Sequence, residues 1–234
     1  MTDPQLLRSS IKVCMFDQYG TVVDMQSGLV AAAAPFLQAR GWKGNPNAFV
    51  TWWRRTHFEN SMIDALLGGK HTPYREIGER AVAYVMDRAE IKYTPDDVHM
   101  LVGAIERLRP FPEVPAALDR IRERYRLVVL SNGDADMLET ARRHHGIAFD
   151  QIISVAEAGA FKPHHATYRM AAERIGVPPG EVLFVANHAF DCIGAKSSGM
   201  RSAFINRRHR PFGATPYQPD LIVPTMTELA DLLA

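Results

Sequence analysis

The chain has 234 residues, of which 47% are hydrophobic and 23% are charged, and its 27 basic and 26 acidic residues give a net charge of +1. This composition is that of an ordinary globular protein. It includes no apolar stretch long enough to span a bilayer and no overall field that would gather nucleic acid or an anionic membrane. The length suffices for one large domain with a smaller inserted or appended one.

The first residues lack the pattern of a secretory signal, in which a basic segment precedes an apolar one, and we therefore expect a cytoplasmic protein. Cys14 and Cys192 fall in a predicted strand and a predicted helix, where we interpret them as packed structural thiols. The histidine pairs at 144–145 and 164–165 are neighbours in sequence, so their side chains point in different directions and no structural metal site is expected.

Short apolar runs alternate with helical patterns in the first stretch and the second half of the chain. Continuous apolar strands separated by helices are typical of a parallel sheet that is covered on both faces. We therefore predict an α/β fold with a Rossmann-like, doubly wound parallel sheet. The predicted strands are Ile11–Phe16, Arg126–Leu130, Gln151–Val155, Val182–Ala186, Ser202–Ile205 and Asp220–Val223. The predicted helices cover residues 112–125, a segment that ends near 146, 163–176, 190–199 and 226–233.

Residues 25–109 interrupt this alternation, because they contain several helical patterns and no convincing strand. The clearest helix has Thr94 as its N-cap and Pro95 in its first turn, and its apolar face continues to Leu108. We predict that residues 25–109 form a helical cap domain, inserted into a core domain made of residues 1–24 and 110–234.

Another predicted helix of the insert covers residues 49–67 and carries Trp52 and Trp53, which we assign to the core of the insert. Two basic runs, at residues 142–145 and 207–210, are interpreted as a helix end or a solvated loop, because neither is interleaved with aromatic residues as a base-stacking surface would be.

Polar residues follow four of the predicted strands. Ligands of doubly wound sheets bind at the carboxyl ends of the strands, where helix amino termini present free N–H groups. Any one such residue has an ordinary explanation as a helix N-cap, but four sets at one edge favour a functional site. They are Asp17, Ser131-Asn132-Gly133-Asp134, Lys162, and Asn187-His188 with Asp191.

These residues, in this order, resemble the haloacid dehalogenase superfamily, and more closely its L-2-haloacid dehalogenase (type II) branch. The resemblance spans nearly the whole chain. The motifs that carry it are Phe16–Thr21, Leu130–Gly133, Phe161–Pro163 with Tyr168, Leu183–Asp191 and Phe204–Arg207.

The resemblance implies a covalent mechanism. Asp17 would attack the halogen-bearing carbon of a short 2-haloacid to give an ester and free halide, and water would then cleave the ester at the Asp17 carboxyl carbon to release a 2-hydroxy acid. Lys162 would lower the pKa of Asp17 and keep it ionised. Asp191 would pair with the lysine and help place or deprotonate the water, and Tyr168 would support Lys162.

The resemblance also assigns substrate-binding residues. Ser131 and Asn132, with backbone N–H groups near Gln18, would hold the substrate carboxylate. Arg54, which aligns with the arginine of a family Trp-Arg pair, would receive the halide, and Arg55 is its alternative. The other residues implied at the site are Tyr19, Thr21, Asn187, His188 and Phe190.

The sequence departs from the family where Ala186-Asn187-His188 stands in place of the common Ser-Ser-Asn, so that one water-orienting hydroxyl is absent. We hypothesise that His188 and Arg54 form hydrogen bonds to a small, hard leaving ion and so permit fluoride release from fluoroacetate.

Three alternatives remain open. A superfamily phosphatase is opposed by Tyr19 and Asn187, since such enzymes have at these positions the carboxylates that protonate the leaving group and help bind Mg²⁺. A hydrolase that opens a strained nitrogen ring, such as azetidine-2-carboxylate, is poorly separated by sequence. A noncatalytic binding module is disfavoured by the joint presence of Asp17, Lys162 and Asp191.

For the leading interpretation the resemblance implies no organic cofactor and requires no metal. The expected partner is a small 2-haloacid substrate, with no nucleic acid and no membrane, and family precedent suggests a homodimer.

Overall fold

The computed structural model describes residues 4–233. Six parallel strands form one sheet in the order β3-β2-β1-β4-β5-β6. This confirms the predicted doubly wound α/β fold. The strands are β1 (Val13–Phe16), β2 (Arg126–Ser131), β3 (Gln151–Ser154), β4 (Val182–Ala186), β5 (Arg201–Ile205) and β6 (Leu221–Val223).

The two central strands explain the continuous apolar runs. Every residue of β1 and β4 is buried, because helices cover both faces of the sheet. The chain order places β2 on one side of β1 and β4 on the other, so the direction of winding reverses beside β1. A crevice opens at the carboxyl ends of the strands at such a switch point.

Ten α-helices lie within the described residues. They are α1 (Pro4–Ser10), α2 (Met25–Ala39), α3 (Pro46–Leu67), α4 (Tyr74–Arg88), α5 (Pro95–Gly103), α6 (Val114–Arg122), α7 (Ala135–His145), α8 (His165–Ile175), α9 (Ala189–Ser197) and α10 (Met226–Leu233). None of them is both long enough and apolar enough to cross a membrane.

Helices α2 to α5 lie between β1 and β2 in the chain, as the helical patterns of residues 25–109 predicted. Thr94 forms the predicted N-cap of α5, in a capping box with Asp97. The helix is shorter than predicted, because it ends at Gly103 and continues as a 3₁₀ turn over Ala104–Arg107. Leu108 is nevertheless buried, so the apolar face extends across the break. The division of the chain into a core domain and a cap domain stays a prediction.

The two tryptophans of α3 have different environments. Trp53 is buried in the insert, whereas Trp52 is 49% exposed, and its assignment to the core was wrong. Neighbouring residues of a helix point about 100° apart, so a helix that buries Trp53 turns Trp52 outward. The guanidinium carbons of Arg88 and Arg55 lie 5.0 and 5.9 Å from the ring of Trp52.

Candidate active site

A cavity of about 640 Å³ lies at the carboxyl ends of the central strands, beneath helices α2, α3 and α4. It occupies the crevice where a doubly wound sheet binds ligands. Residues of the sheet edge and of the helical insert both line it: Asp17, Tyr19, Met25, Gln26, Asn47, Thr51, Arg54, Arg55, Phe58, Tyr74, Asn132, Lys162, His188, Phe190, Arg208 and Arg210.

Asp17 directly follows β1 and is 6% exposed at the cavity wall. Its backbone N–H donates to the carbonyl of Val185, which fixes the residue against β4. Its Oδ1 accepts a hydrogen bond from Lys162 at 2.8 Å, and its Oδ2 accepts one from the Thr21 hydroxyl, also at 2.8 Å. The Thr21 hydroxyl in turn accepts from the backbone N–H of Asn187 at 2.9 Å. The carboxylate is thus held by donors on both oxygens.

Lys162 reaches the same point from the loop after β3 and is 1% exposed. Its ammonium donates to Asp17, to Asp191 Oδ2 at 2.7 Å and to the carbonyl of Leu130 at 3.0 Å, so all three of its donors are used. Its backbone N–H donates to Asn132 Oδ1 at 3.0 Å, which connects the loop after β3 to the polar residues after β2. The predicted pairing of Lys162 with both carboxylates is therefore present.

Burial by itself raises the pKa of Asp17, but the charge of Lys162 and the contacts with His188 outweigh it and hold the pKa below the ordinary value of 3.8. Burial also lowers the pKa of Lys162, and here the charges of Asp17 and Asp191 outweigh it, so the pKa is raised. Asp17 is therefore an anion and Lys162 a cation at neutral pH, which is the state that nucleophilic attack requires.

Asp191 differs from Asp17, since burial and the nearby charge of Asp17 raise its pKa despite the bond to Lys162. The residue is fully buried in the first turn of α9 and lies behind the cavity wall. Its Oδ1 accepts a hydrogen bond from the hydroxyl of Tyr168. Tyr168 was predicted to support Lys162, but its hydroxyl contacts Asp191, so any support reaches the lysine through that carboxylate.

His188 and Arg54 converge beside the nucleophile. His188 Nδ1 lies 3.6 Å from Asp17 Oδ2. Both side chains meet over Gly20, where a Cβ atom would lie 2.9 Å from Cε1 of His188 and 3.6 Å from Nη2 of Arg54. A side chain at position 20 would therefore displace this pair. Gly20 also has φ of +89°, a conformation that glycine adopts without strain.

The two candidate arginines of α3 are distinguished by their contacts. Arg54 donates from Nη1 to Gln26 Oε1 at 2.8 Å, while its Nε is buried without a hydrogen-bond partner among the described residues. Arg55 is exposed and forms a salt bridge with Glu59 at 2.7 Å. Both line the cavity, but Arg54 is the arginine that lies near Asp17 and retains an unused buried donor.

Aromatic contacts join the insert to the sheet edge around the cavity. The ring of Phe58 on α3 lies 4.3 Å from that of Phe190 on α9. Tyr74 on α4 stacks on Tyr19 with ring centroids 5.7 Å apart. All four rings line the cavity with Asp17 and give part of its wall an apolar surface.

Five predicted binding residues do not line the cavity: Gln18, Thr21, Ser131, Tyr168 and Asn187. Ser131 is fully buried, and its hydroxyl accepts from the backbone N–H of Gly133 at 3.3 Å. Gln18 is 1% exposed, and its side-chain amide has no hydrogen-bond partner among the described residues. Asn187 contacts Thr21 through its backbone. Of the predicted carboxylate-binding set, Asn132 is the member that lines the cavity.

Eight cavity residues were not predicted: Met25, Gln26, Asn47, Thr51, Phe58, Tyr74, Arg208 and Arg210. Phe58 follows Arg54 by four residues, so helical spacing could have placed both on one face. The basic run at 207–210 was correctly assigned to a loop, but its approach to the cavity was missed. Gln26 and Tyr74 carry no local signal, because their place depends on how the insert packs on the sheet.

Within residues 5–233, no three His, Cys, Asp or Glu side chains are grouped so that they could hold a metal ion. The ammonium of Lys162 lies between the two buried carboxylates, Asp17 and Asp191.

The family model of the haloacid dehalogenase-like hydrolases matches residues 11–199. The haloacetate dehalogenase H-2 of Moraxella sp. (strain B) is 30% identical over 227 residues, which are 96% of this chain and 98% of that protein. The structure of L-2-haloacid dehalogenase from Xanthobacter autotrophicus with covalently bound chloropropionic acid has a TM-score of 0.84 at 28% identity and covers 95% of this chain and 98% of its own. A defluorinating L-2-haloacid dehalogenase has a TM-score of 0.84 at 27% identity and covers 95% of both chains.

Proposed function

Because the chain belongs to the haloacid dehalogenase-like hydrolases, we propose that it hydrolyses the carbon–halogen bond of short 2-haloacids through an ester formed on Asp17. It is a hydrolase of the (S)-2-haloacid dehalogenase type, and its product is a 2-hydroxy acid.

The observation that carries this proposal is an ionised nucleophile, Asp17, with no carboxylic acid two residues further along the chain. Asp17 lies at the cavity wall with its pKa held low. Two residues on, Tyr19 has a buried hydroxyl without a hydrogen-bond partner among the described residues, and burial raises its pKa well above that of an ordinary tyrosine. A halide leaves with its electron pair and needs no proton, whereas a phosphatase must protonate an alkoxide. The site therefore suits displacement of halide better than phosphoryl transfer.

In the first step, an oxygen of Asp17 attacks the halogen-bearing carbon from the side opposite the halogen, and the halide departs. We assign the halide to Arg54 and His188, which converge beside Asp17. We assign the substrate carboxylate to Asn132 and to backbone N–H groups near Gln18 and Ser131. The aromatic side chains of the cavity wall reduce the amount of water around a bound substrate and so strengthen these charge interactions.

In the second step, water attacks the carboxyl carbon of Asp17, and the ester bond breaks to release the 2-hydroxy acid. Asp191 contacts the same ammonium as Asp17, that of Lys162, and is therefore the second carboxylate near the ester. Its pKa is raised, which makes Asp191 a better proton acceptor than an ordinary aspartate. Because both of its oxygens already accept hydrogen bonds, Asp191 must exchange one of them to reach the water.

A single turnover in isotopically labelled water tests the ester. With enzyme in excess over 2-chloropropanoate, the product oxygen comes from Asp17, so the first product molecules carry no label and the label enters the protein. Direct transfer of label into that product would contradict the ester. The Asp17→Asn variant is the control, and it should release no halide. Full activity of this variant in the cell would instead favour a noncatalytic binding module.

Fluoride release is a second proposal for the same site. His188 and Arg54 offer N–H donors within a small space beside Asp17, and such donors stabilise a compact, hard anion most strongly. A structural relative is described as defluorinating. A fluoride electrode should therefore record release from fluoroacetate. Turnover of chloroacetate without fluoride release would exclude this specificity. Opening of an azetidine ring would be recognised by an amine product and no halide.

We further propose, from the sequence expectation and family precedent, that the enzyme is cytoplasmic and forms a homodimer. Light scattering on the purified chain gives the mass in solution, and a mass near 26.2 kDa would contradict the dimer.

A further inference from the structure

The cavity carries more positive charge than a 2-haloacid requires. Its wall includes one carboxylate, Asp17, and five cationic side chains: Arg54, Arg55, Lys162, Arg208 and Arg210. Lys162 is neutralised by Asp17 and Asp191, and Arg55 is paired with Glu59. The three remaining arginines form no ion pair with a carboxylate of residues 5–233. A simple 2-haloacid brings one carboxylate and releases one halide, for which Arg54 and the backbone donors suffice.

Arg208 and Arg210 lie on a loop that the structure builds around specific contacts. Asn206 closes the loop on itself, since its amide donates to the carbonyl of Arg210 and accepts from the Arg210 N–H, each at 2.9 Å. Arg207 anchors the loop to the core, with its guanidinium 3.8 Å from the ring centroid of Phe111 and in a salt bridge with Glu113. The Arg207 guanidinium also donates to the carbonyl of Thr21 at 3.2 Å, next to the nucleophile motif. The loop thus holds its two free arginines at the cavity.

Arg208 is near enough to Arg54 for the like charges to interact. Burial, followed by the charge of Arg208, lowers the pKa of Arg54. Two guanidinium groups that face one space without an anion between them repel each other, and an anion bound there removes the repulsion. The cavity of about 640 Å³ also falls in the range of pockets for much larger ligands than 2-chloropropanoate, about 300–1,000 Å³.

Resting on the function proposed above, we propose that the substrates include short 2-halodicarboxylic acids, whose second carboxylate binds Arg208 and Arg210. The reaction itself is unchanged. Asp17 displaces halide from the carbon next to the first carboxylate, water cleaves the ester, and a 2-hydroxydicarboxylate leaves with one proton released to solvent. Arg208 and Arg210 take no part in bond making and set the specificity.

The test compares kcat/KM for 2-chlorosuccinate and 2-chloroglutarate with that for 2-chlorobutanoate, which lacks the second charge. The native enzyme should prefer at least one of the dianions. In the Arg208→Met/Arg210→Met variant, kcat/KM for the preferred dianion should fall about tenfold, since both arginines are solvent-exposed and contacts of exposed charges are weak. The activity with 2-chlorobutanoate should change much less. An Arg208→Lys/Arg210→Lys variant keeps the charges and should retain part of the preference.

The matched control is Arg142→Met/Arg143→Met, which removes two neighbouring arginines at the end of α7, where both contact Glu139. This variant should keep the native preference. Equal losses for dianions and monoanions in the Arg208→Met/Arg210→Met variant would mean that the loop only steers anions toward the cleft, and would overturn the proposal.

Calorimetry separates failure of this inference from failure of the proposed function. Malate, a 2-hydroxydicarboxylate, should bind more tightly than lactate, and the advantage should disappear in the Arg208→Met/Arg210→Met variant. Turnover of 2-chloropropanoate without any dicarboxylate advantage would overturn the inference alone. Absence of halide release from every substrate would overturn the proposed function and the inference together.

Discussion

The ammonium nitrogen of Lys162 lies 2.8 Å from Oδ1 of Asp17, and both side chains are almost fully buried. The same ammonium neutralises Asp191. We predict that Lys162→Met destabilises the protein by about 3–5 kcal/mol, because it leaves two buried carboxylates without a cation. Halide release should fall about a hundredfold or more, since the variant lacks the charge that keeps Asp17 ionised. Urea unfolding and a halide assay measure the two effects.

A second substitution separates stability from catalysis. In Lys162→Met/Asp191→Asn one of the two uncompensated charges is removed, so part of the lost unfolding free energy should return while activity stays low. Such non-additivity is expected for groups in direct contact. A Lys162→Met variant with native stability would contradict the buried charge triad.

The opposite pKa shifts of Asp17 and Asp191 predict opposite effects of pH on stability. For Asp17 the pKa is below 3.8 in the folded state, so ionised Asp17 stabilises the fold at pH above 3.8, and this contribution is lost as the pH falls below that value. For Asp191 the pKa is raised, so the fold is favoured by the protonated form, and its contribution weakens as the pH rises above 3.8.

The measurement is the free energy of unfolding of the native chain minus that of Asp17→Asn and of Asp191→Asn, from about pH 2 to pH 7. The first difference should decrease toward acid and the second should decrease toward neutral pH. Parallel curves for the two variants would mean that the carboxylates share the charge of Lys162 equally.

The site residues at the sheet edge could be predicted from the sequence, whereas most site residues of the insert could not. Asp17 and Lys162 are 145 positions apart, yet both follow apolar runs that predict parallel strands, and parallel strands end at one edge of the sheet. The sheet therefore brings Asp17 and Lys162 together, although no sequence pattern between them predicts the contact.

No comparable rule predicts which residues of the insert reach the site, because the helix faces that contact the sheet depend on the packing angles of the helices. Arg54 was found through a resemblance of its local sequence, but Gln26 and Tyr74 approach it from other helices. The exposure of Trp52 has the same origin, since the hydrophobic side chain alone did not indicate which face of α3 is buried.

Gln26 positions the proposed halide-binding arginine. Its Oε1 accepts from Arg54 Nη1 at 2.8 Å, and its Nε2 donates to Asn47 Oδ1, also at 2.8 Å. Gln26→Leu should lower kcat/KM about tenfold, because the guanidinium keeps its charge but loses its orientation. Inhibition by added chloride should weaken in parallel, which a purely structural role of Gln26 would not produce.

Gln38→Leu is the control for this substitution, since Gln38 is an exposed residue near the end of the same helix. It should leave both kcat/KM and chloride inhibition at native values. Native chloride inhibition in Gln26→Leu would show that Arg54 is oriented without this contact, or that another group receives the halide.

Asp134 connects the sheet edge to the insert. It precedes α7, and its carboxylate accepts from the backbone N–H groups of Tyr74 at 2.9 Å and of Arg75 at 3.0 Å, at the start of α4. Pro73 precedes α4 and provides no side-chain cap of its own. Asp134→Ala should therefore cost about 1–2 kcal/mol, the usual effect of losing a helix cap. Because Tyr74 lines the cavity and stacks on Tyr19, we also expect a raised KM.

Hydrogen exchange distinguishes this local loosening from general destabilisation. In Asp134→Ala the amides of Tyr74 and Arg75 should exchange faster. The exchange rates of the amides of β1 and β4 should change only as much as the global free energy of unfolding changes. Asp136→Ala is the control, because the exposed carboxylate of Asp136 contacts the side chain of Arg75 but not the backbone N–H groups of α4. If both variants leave the exchange of Tyr74 unchanged, then α4 is held by its apolar contacts alone. The carboxylate of Asp134 would then have no part in holding α4 at the cavity.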